Sequence, residues 1–374
     1  MKLSILQENL TQAVTTAGRS ASAKASLPIL NHLLLTTDQG RLKVSATNLE
    51  VGVNCWVGAK VEKEGSLAVP ARVLQDLVGS LPPGKIDLEV VKGNLHLESG
   101  GVEANLAGID GSEFPAIPSF PKKAAMTFPA TELSQAIESV AYAAAAEEGR
   151  PILTGVLWRV KGDEAELIAT DGYRLAKKTL KLPEKKEAWQ AVVPARTLSE
   201  VARVVADAAG RGEGLDEVGL TLNSEENQIG FSLGNTELTS RILEGQYPTV
   251  ESIIPTEFNL RGIFDRAELT QAIRLAAVFA RDLGSIVKLR VGKTGLELSA
   301  NTVQVGDEKT QVTGEVEGEE VEVAFNSRYL LDALTRGNSQ QVSFEIKSAS
   351  TPGVLRPVGD DSLLVLVMPV RLQS

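Results

Sequence analysis

Apolar side chains recur at three- and four-residue spacing from Leu6 to Ala17, and then at alternate positions through Leu33–Leu35 and Leu42–Ala46. That change of period predicts one helix followed by short strands. The helical period returns after Pro70, with Val73, Leu74, Leu77, Val78 and Leu81 marking one apolar face. Pro70 stands where the first helical residue is expected, a position at which a missing N–H costs nothing. Pro82-Pro83-Gly84 ends this second helix, and Ile86-Asp87-Leu88-Glu89-Val90 alternates as a strand. The same order follows Pro194: Leu198, Val201, Ala202 and Val205 form a helical face, Gly210-Arg211-Gly212-Glu213-Gly214 breaks it, and Val218 to Leu222 reads as a strand.

The pattern is a repeat. Val69-Pro70-Ala71-Arg72-Val73-Leu74 recurs as Val193-Pro194-Ala195-Arg196-Thr197-Leu198 and, more loosely, as Phe325-Asn326-Ser327-Arg328-Tyr329-Leu330, at separations of 124 and 132 residues. Glu8-Asn9-Leu10-Thr11-Gln12-Ala13 has counterparts at Glu132-Leu133-Ser134-Gln135-Ala136 and Glu268-Leu269-Thr270-Gln271-Ala272. Ser45-Ala46-Thr47-Asn48 is matched by Ile168-Ala169-Thr170-Asp171 and by Ser299-Ala300-Asn301-Thr302, and Phe114-Pro115 by Tyr247-Pro248. The spacing is too long for a solenoid unit and suits a whole small domain. Short strands at hairpin spacing with two helices per copy predict α+β domains, each helix pair covering one face of an antiparallel sheet. Proline and charge cluster at Pro118-Ser119-Phe120-Pro121-Lys122-Lys123 and at Ile254-Pro255-Thr256-Glu257, so the expected domains are 1–122, 123–255 and 256–374.

Composition narrows the function. No apolar run approaches the ~18–20 residues that cross a bilayer, and Met1-Lys2-Leu3-Ser4-Ile5-Leu6-Gln7-Glu8 meets a carboxylate too early for a signal peptide. The single cysteine, Cys55, cannot form an internal disulfide, which suits a reducing cytoplasm. It lies in the β-like run Val51–Val57, where cysteine packs as a small apolar residue. The net charge of −10 argues against a nucleic-acid partner when taken alone. The predicted helices, however, are charge-balanced. Their cations are all arginines (Arg19, Arg72, Arg196, Arg203, Arg266, Arg274, Arg281, Arg328 and Arg336), offset by an equal number of carboxylates. The acidic excess therefore belongs to strands and loops, and arginine suits bidentate phosphate contact.

Catalytic and metal chemistry find little support. Gly79-Ser80-Leu81-Pro82-Pro83-Gly84-Lys85 has the outline of a phosphate-binding loop, but Ile86 stands where a magnesium-binding hydroxyl is needed and two prolines remove backbone donors. The two histidines, His32 and His96, have no metal-ligand spacing. Neither a Gly-x-Ser-x-Gly elbow nor a Cys/His cluster occurs. The adjacent carboxylates Glu319-Glu320 and Asp360-Asp361 read as turn or surface charges. Asp171 with Arg174 is the best acid–base pair for an enzymatic reading.

The segment holding that pair, Ala169-Thr170-Asp171-Gly172-Tyr173-Arg174-Leu175-Ala176, resembles the middle-domain signature of bacterial sliding clamps, the β subunits of DNA polymerase III. Further similarity lies in Leu27-Pro28-Ile29-Leu30, Thr47-Asn48-Leu49-Glu50, the two Val-Pro-Ala-Arg segments, Glu244-Gly245-Gln246-Tyr247-Pro248, Phe325 to Leu334, and Val367-Met368-Pro369-Val370-Arg371-Leu372. The resemblance spans essentially the whole length. It implies a DNA clamp fold of three similar domains, with helices lining the inside and antiparallel sheets outside, closed into a ring as a head-to-tail homodimer around duplex DNA. It implies a non-catalytic processivity factor, with no cofactor or metal, that tethers the replicative polymerase. The clamp loader and repair or translesion proteins are the other expected partners, through short peptides.

By the same resemblance, a peptide pocket between the second and third domains should involve Leu153, Thr170, Gly172, Tyr173, Arg174, Leu175, Pro248, Ile253, Leu366, Met368, Pro369, Val370 and Arg371. Ser252 departs from the larger polar or basic residue usual on that rim. DNA contacts are expected from Lys24, Arg72, Arg150 and Arg196, although Glu147 and Glu148 flank the Arg150 loop. Dimer contacts are expected from Leu106, Val278 and Phe279. Gln373 and Ser374 run past the usual clamp ending. The rival readings are an enzyme using Asp171 and Arg174, and a triplicated protein-binding scaffold that does not encircle DNA.

Overall fold

The computed structural model of the chain describes residues 1–22, 27–118, 120, 124–147, 149–223, 225–281, 284–302, 306–337 and 339–371. Among the described residues six α-helices alternate with strands: α1 Gln7–Gly18, α2 Ala71–Ser80, α3 Ala130–Val140, α4 Ala195–Gly210, α5 Arg266–Phe279 and α6 Ser327–Leu334. One order recurs three times: a short strand (Lys2–Leu6, Met126–Pro129 or Leu260–Asp265), a helix, a run of strands, a second helix, and three more strands, with a two-residue fourth, Ile109–Asp110, in the first copy. Every strand pairing among the described residues is antiparallel. The fold is α+β in three similar domains, as the periodicity predicts.

Compact units do not follow those domains. One unit comprises Met1–Ser134 and Glu200–Ile242, the other Gln135–Ser199 and Leu243–Ser374, so the division runs through the middle copy. In the first unit a nine-stranded sheet passes from Val51–Gly58 of the first copy directly to Thr236–Arg241 of the second, with Val51 opposite Ser240 and Val53 opposite Leu238. In the second unit Arg174–Pro194 pairs with Leu363–Val367 of the third copy, Leu175 lying opposite Leu366. The proline-rich linkers mark where the chain crosses between copies, and hydrogen-bonded strands join the copies. Ser119 and residues 121–123 of the first linker lie outside the described residues.

The helices pack as the pattern predicts, with two corrections. Leu198, Val201, Ala202 and Val205 of α4 are all buried, and Ser134 Oγ of α3 donates to the Ala202 carbonyl of α4 at 3.3 Å. On α2, Ala71, Leu74 and Val78 are buried, but Val73 is 55% exposed and lies off the core-facing stripe. Pro70 is the residue before the helix and not its first residue. It ends the strand Ser66–Pro70 opposite His32 and leads into Ala71 without a side-chain cap. Where proline is absent, a polar residue takes over: Asn326 Oδ1 accepts from the Arg328 N–H at 2.9 Å at the start of α6.

Cys55 is 1% exposed, and Thr236 Oγ1 donates to its Sγ at 3.6 Å. Burial pushes its thiol pKa up, which leaves it packed and unreactive. His32 and His96 bind Pro28 and Asn105 respectively, and no cluster of metal-ligating side chains occurs among the described residues.

At α5, Asp265 Oδ1 accepts from the Glu268 N–H at 2.9 Å, the local cap of the third copy's first helix. Asp265→Ala should lower stability by about 1 kcal/mol in urea unfolding, and an unchanged midpoint would refute the capping role.

Candidate partner-binding site

The expected pocket residues all belong to the second unit, and one turn organises them. Thr170 Oγ1 donates to the Arg174 carbonyl at 2.6 Å and accepts from the Gly172 N–H at 3.0 Å. Asp171 Oδ1 accepts from the N–H groups of Tyr173 and Arg174 at 2.9 and 3.0 Å. Gly172 holds φ at 93°, a left-handed conformation that glycine adopts without steric cost. The turn thrusts Tyr173 outward, 65% exposed, while Leu175 points into the core at 1%. Met368 N–H then donates to the Tyr173 carbonyl at 2.8 Å, so the chain end is stitched to the turn.

Beneath the turn lies an apolar floor. Leu157, Ile168, Leu175, Val192, Val250, Val354, Leu364 and Leu366 form one buried cluster, against which Ile152, Leu243, Tyr247, Ile254 and Phe258 pack. Of the expected wall residues, Leu175 and Leu366 belong to that cluster and Leu153 is also buried. Tyr173, Pro248, Ile253, Met368 and Arg371 form the exposed set, with Pro369 and Val370 half-buried. A small cleft of this unit is lined by Arg266, Leu334, Arg336, Val342, Leu355 and Leu363. The site is thus an exposed apolar rim on a close-packed base. Val250 was missing from the expected set, although it lies only two residues beyond the Tyr247-Pro248 landmark.

Charged groups brace the rim. Arg159 Nη2 reaches Glu251 Oε1 at 2.6 Å and Glu166 Oε2 at 2.7 Å, tying the 3₁₀ turn Glu251–Ile253 to the sheet. Burial would raise the Glu166 pKa, but hydrogen bonds from Lys177 and Arg159 outweigh it and hold the carboxyl below its usual range. Burial pushes the Tyr247 phenol well above its usual range, and its hydroxyl donates to the Ile168 carbonyl at 3.3 Å. Ser252 Oγ donates only to the nearby Thr249 carbonyl at 3.2 Å.

Arg174 is a brace as well. Its side chain is 13% exposed and donates to Asp171 Oδ2 at 3.0 Å, to Asp332 of α6, and to the Tyr142 carbonyl at 2.8 Å. Its guanidinium lies 4.7 Å from the Tyr329 ring centre and 5.3 Å from that of Tyr142. Arg174 is thus engaged as a brace, and both Asp171 oxygens accept hydrogen bonds within the turn.

The helix arginines divide into two groups. Arg19 is tied to Asp207 at 2.7 Å and lies 3.8 Å from Glu200, and Arg203 pairs with Glu200 at 3.0 Å. Arg266 donates to the Gly337 carbonyl at 2.6 Å. Arg72, by contrast, is 94% exposed with only a marginal 3.9 Å approach to Asp76. Arg196 and Arg328 are also exposed, and each, like Arg72, is the second residue of its helix. Arg150 is exposed beside Gly172. Lys24, Glu148, Gln373 and Ser374 lie outside the described residues. Among the expected dimer contacts, Val278 is 51% exposed and Phe279 half-buried, while Leu106 is 6% exposed and packs within its own sheet.

Three family profiles tile the sequence: the N-terminal domain of the DNA polymerase III beta subunit over residues 1–118, its central domain over 127–249, and its C-terminal domain over 251–371. The chain belongs to the bacterial β sliding clamp family. It is 32% identical to the beta sliding clamp of Synechococcus elongatus, with all of both chains covered. It is 28% identical to that of Staphylococcus aureus over 99% of each chain. The crystal structure of the Bacillus subtilis sliding clamp superposes with a TM-score of 0.93 at 27% identity over the full length of both chains.

The brace at Arg174 yields a direct test. Arg174→Met should destabilise the fold by about 2–4 kcal/mol, because it strands the buried carboxylate of Asp171 and removes the ties to Asp332 and the Tyr142 carbonyl. Arg174→Lys should recover little of the loss, since an ammonium cannot make the forked contacts. Full recovery by lysine in thermal or urea unfolding would refute this role.

Proposed function

We propose that two copies of this chain close head to tail around duplex DNA as a non-catalytic processivity ring that tethers the replicative polymerase. The clamp loader and repair or translesion proteins dock on the same ring through short peptides. The observation that carries the reading is the full-length match of three successive β-subunit domains to a chain that repeats one architecture three times. The domain cuts proposed are 1–122, 123–255 and 256–374. The first falls between neighbouring family profiles, and the second lies a few residues past the start of the third.

For DNA, the proposed contacts are Arg72, Arg150 and Arg196, with Lys24, and Arg328 joins them as the third-copy equivalent. Arg72, Arg196 and Arg328 stand in the first turns of α2, α4 and α6, where exposed backbone N–H groups and the helix dipole also favour anions. Few such contacts give weak, sequence-independent, salt-sensitive attraction, which suits a ring that slides. Neutralising Arg19 and Arg203 within the helix layer keeps that attraction low.

For ring closure, strands Val102–Ala107 and Gly306–Val312 each end a sheet among the described residues. Exposed edge strands are templates for pairing with another chain. Their pairing between protomers, flanked by Val278 and Phe279, would join the first domain of one chain to the third domain of its partner. Leu106 supports this from within the sheet.

For partners, the rim of Tyr173, Pro248, Ile253 and Met368 accepts aliphatic or aromatic anchors, and Met368 adapts to their shape. Thr170, Arg174, Leu153, Leu175 and Leu366 hold that rim from beneath, Gly172 shapes the turn that carries it, and Pro369, Val370 and Arg371 continue it.

Sedimentation should give about twice the monomer mass, and a monomer at micromolar concentration would count against closure. Met368→Glu should weaken a labelled peptide carrying leucine and phenylalanine anchors by roughly tenfold or more, about 1.4 kcal/mol or above, with the dimer intact. Unchanged affinity would refute the rim.

A further inference from the structure

The turn at the second junction has a double at the first. Thr47 Oγ1 donates to the Val51 carbonyl at 2.9 Å and accepts from the Leu49 N–H at 3.0 Å. Asn48 Oδ1 accepts from the Glu50 and Val51 N–H groups at 3.0 and 2.7 Å. The Arg241 N–H donates to the Glu50 carbonyl at 2.9 Å, the bond that Met368 makes to Tyr173 in the other junction. Leu49, with φ at 74°, occupies the place of Gly172. The 3₁₀ turns Pro28–Asn31 and Pro151–Thr154 precede the two sites at the same offset.

Register fixes the floor positions. Gly52 lies opposite Thr239, which lies opposite Gly230, as Leu175 lies opposite Leu366 and Leu366 opposite Val354. The second junction therefore has a floor of two leucines and a valine, whereas the first has two glycines and a threonine. The missing volume is supplied by the linker. Ile117 Cγ2 comes within 2.6 Å of where a Gly52 Cβ would stand, and the Phe120 ring occupies the space that a Gly230 Cβ would need. Both anchors come from the proline-rich linker, in which Pro115 and Pro118 restrict the backbone and lower the entropic cost of lying in a groove.

The geometry points to a second docking groove of the same construction at the first junction, held closed by the chain's own linker as a strap. Ile117 and Phe120 are its anchors, three residues apart, and Gly52 and Gly230 are the slots that receive them. With the strap seated, the chain offers one open groove and not two. With the strap withdrawn, the first junction takes an extended peptide bearing an aliphatic and an aromatic anchor at that spacing. The comparison with a docking groove rests on the peptide-binding reading of the second junction, while the seating of the strap does not.

The test uses the full chain and a synthetic peptide of residues 114–121. Calorimetry should find one more bound peptide per chain for the Ile117→Ala/Phe120→Ala variant than for the wild type, with a thermal midpoint that drops and recovers when the peptide is added. An unchanged count would overturn the strap. The count for the wild type itself reports separately on the second-junction groove, so the two readings fail independently. A second variant leaves the linker intact. Gly230→Val should eject the ring of Phe120 and speed hydrogen exchange at the Phe120 amide while the chain remains a dimer. Continued protection of Phe120 in that variant would also overturn the proposal.

Discussion

Backbone pairing across the copy boundaries, Val51–Gly58 with Thr236–Arg241 and Arg174–Pro194 with Leu363–Val367, is the constraint around which both junctions are built. A ladder of N–H and C=O groups fixes register in a way that side-chain contact alone does not, because a one-residue slip would turn every side chain to the opposite face. Register then decides which residues lie beneath each junction. It sets Leu175 against Leu366 in one case and Gly52 against Thr239 in the other. Repeated Thr-Asx turns close the end of each ladder, and Arg174 adds a charged brace from the second copy to α6 of the third.

Much of the fold was legible in the sequence because the signals are local. The apolar face of α4, the glycine-rich break after it and the alternating strands depend on neighbours a few residues apart, and all are found where the periodicity puts them. The departures are equally physical. Val73 shares the helical period of α2 but lies off the stripe that the sheet covers, and Pro70 satisfies its missing donor equally well at the end of a strand. The sharing of the nine-stranded and seven-stranded sheets between two copies leaves no local trace, since alternation reveals that a strand exists and not which strand it joins.

The site was legible only through family resemblance. Scattered residues such as Leu153, Leu366 and Met368 carry no joint pattern, and nothing in the sequence separates a buried floor leucine from an exposed rim methionine. Arg174 looked like a wall or an acid–base partner because its five donors have no sequence signature. Its partners Asp332, Tyr329 and Tyr142 lie far along the chain and become visible only in space. Val250 and the bracing pair Arg159–Glu251 were hidden for the same reason.

A net charge of −10 and a DNA partner are compatible once charge is assigned to elements. Arg19 and Arg203 are neutralised, whereas Arg72, Arg196 and Arg328 are exposed at equivalent helix starts. On the proposed reading, a few such contacts hold DNA weakly and enclosure supplies retention. The most direct test is therefore retention of the loaded protein on closed circular DNA before and after a single linearising cut, at salt high enough to screen phosphate contacts. Enclosure predicts that the protein stays on the circle and is lost from the linear ends. Equal loss from both forms would contradict it.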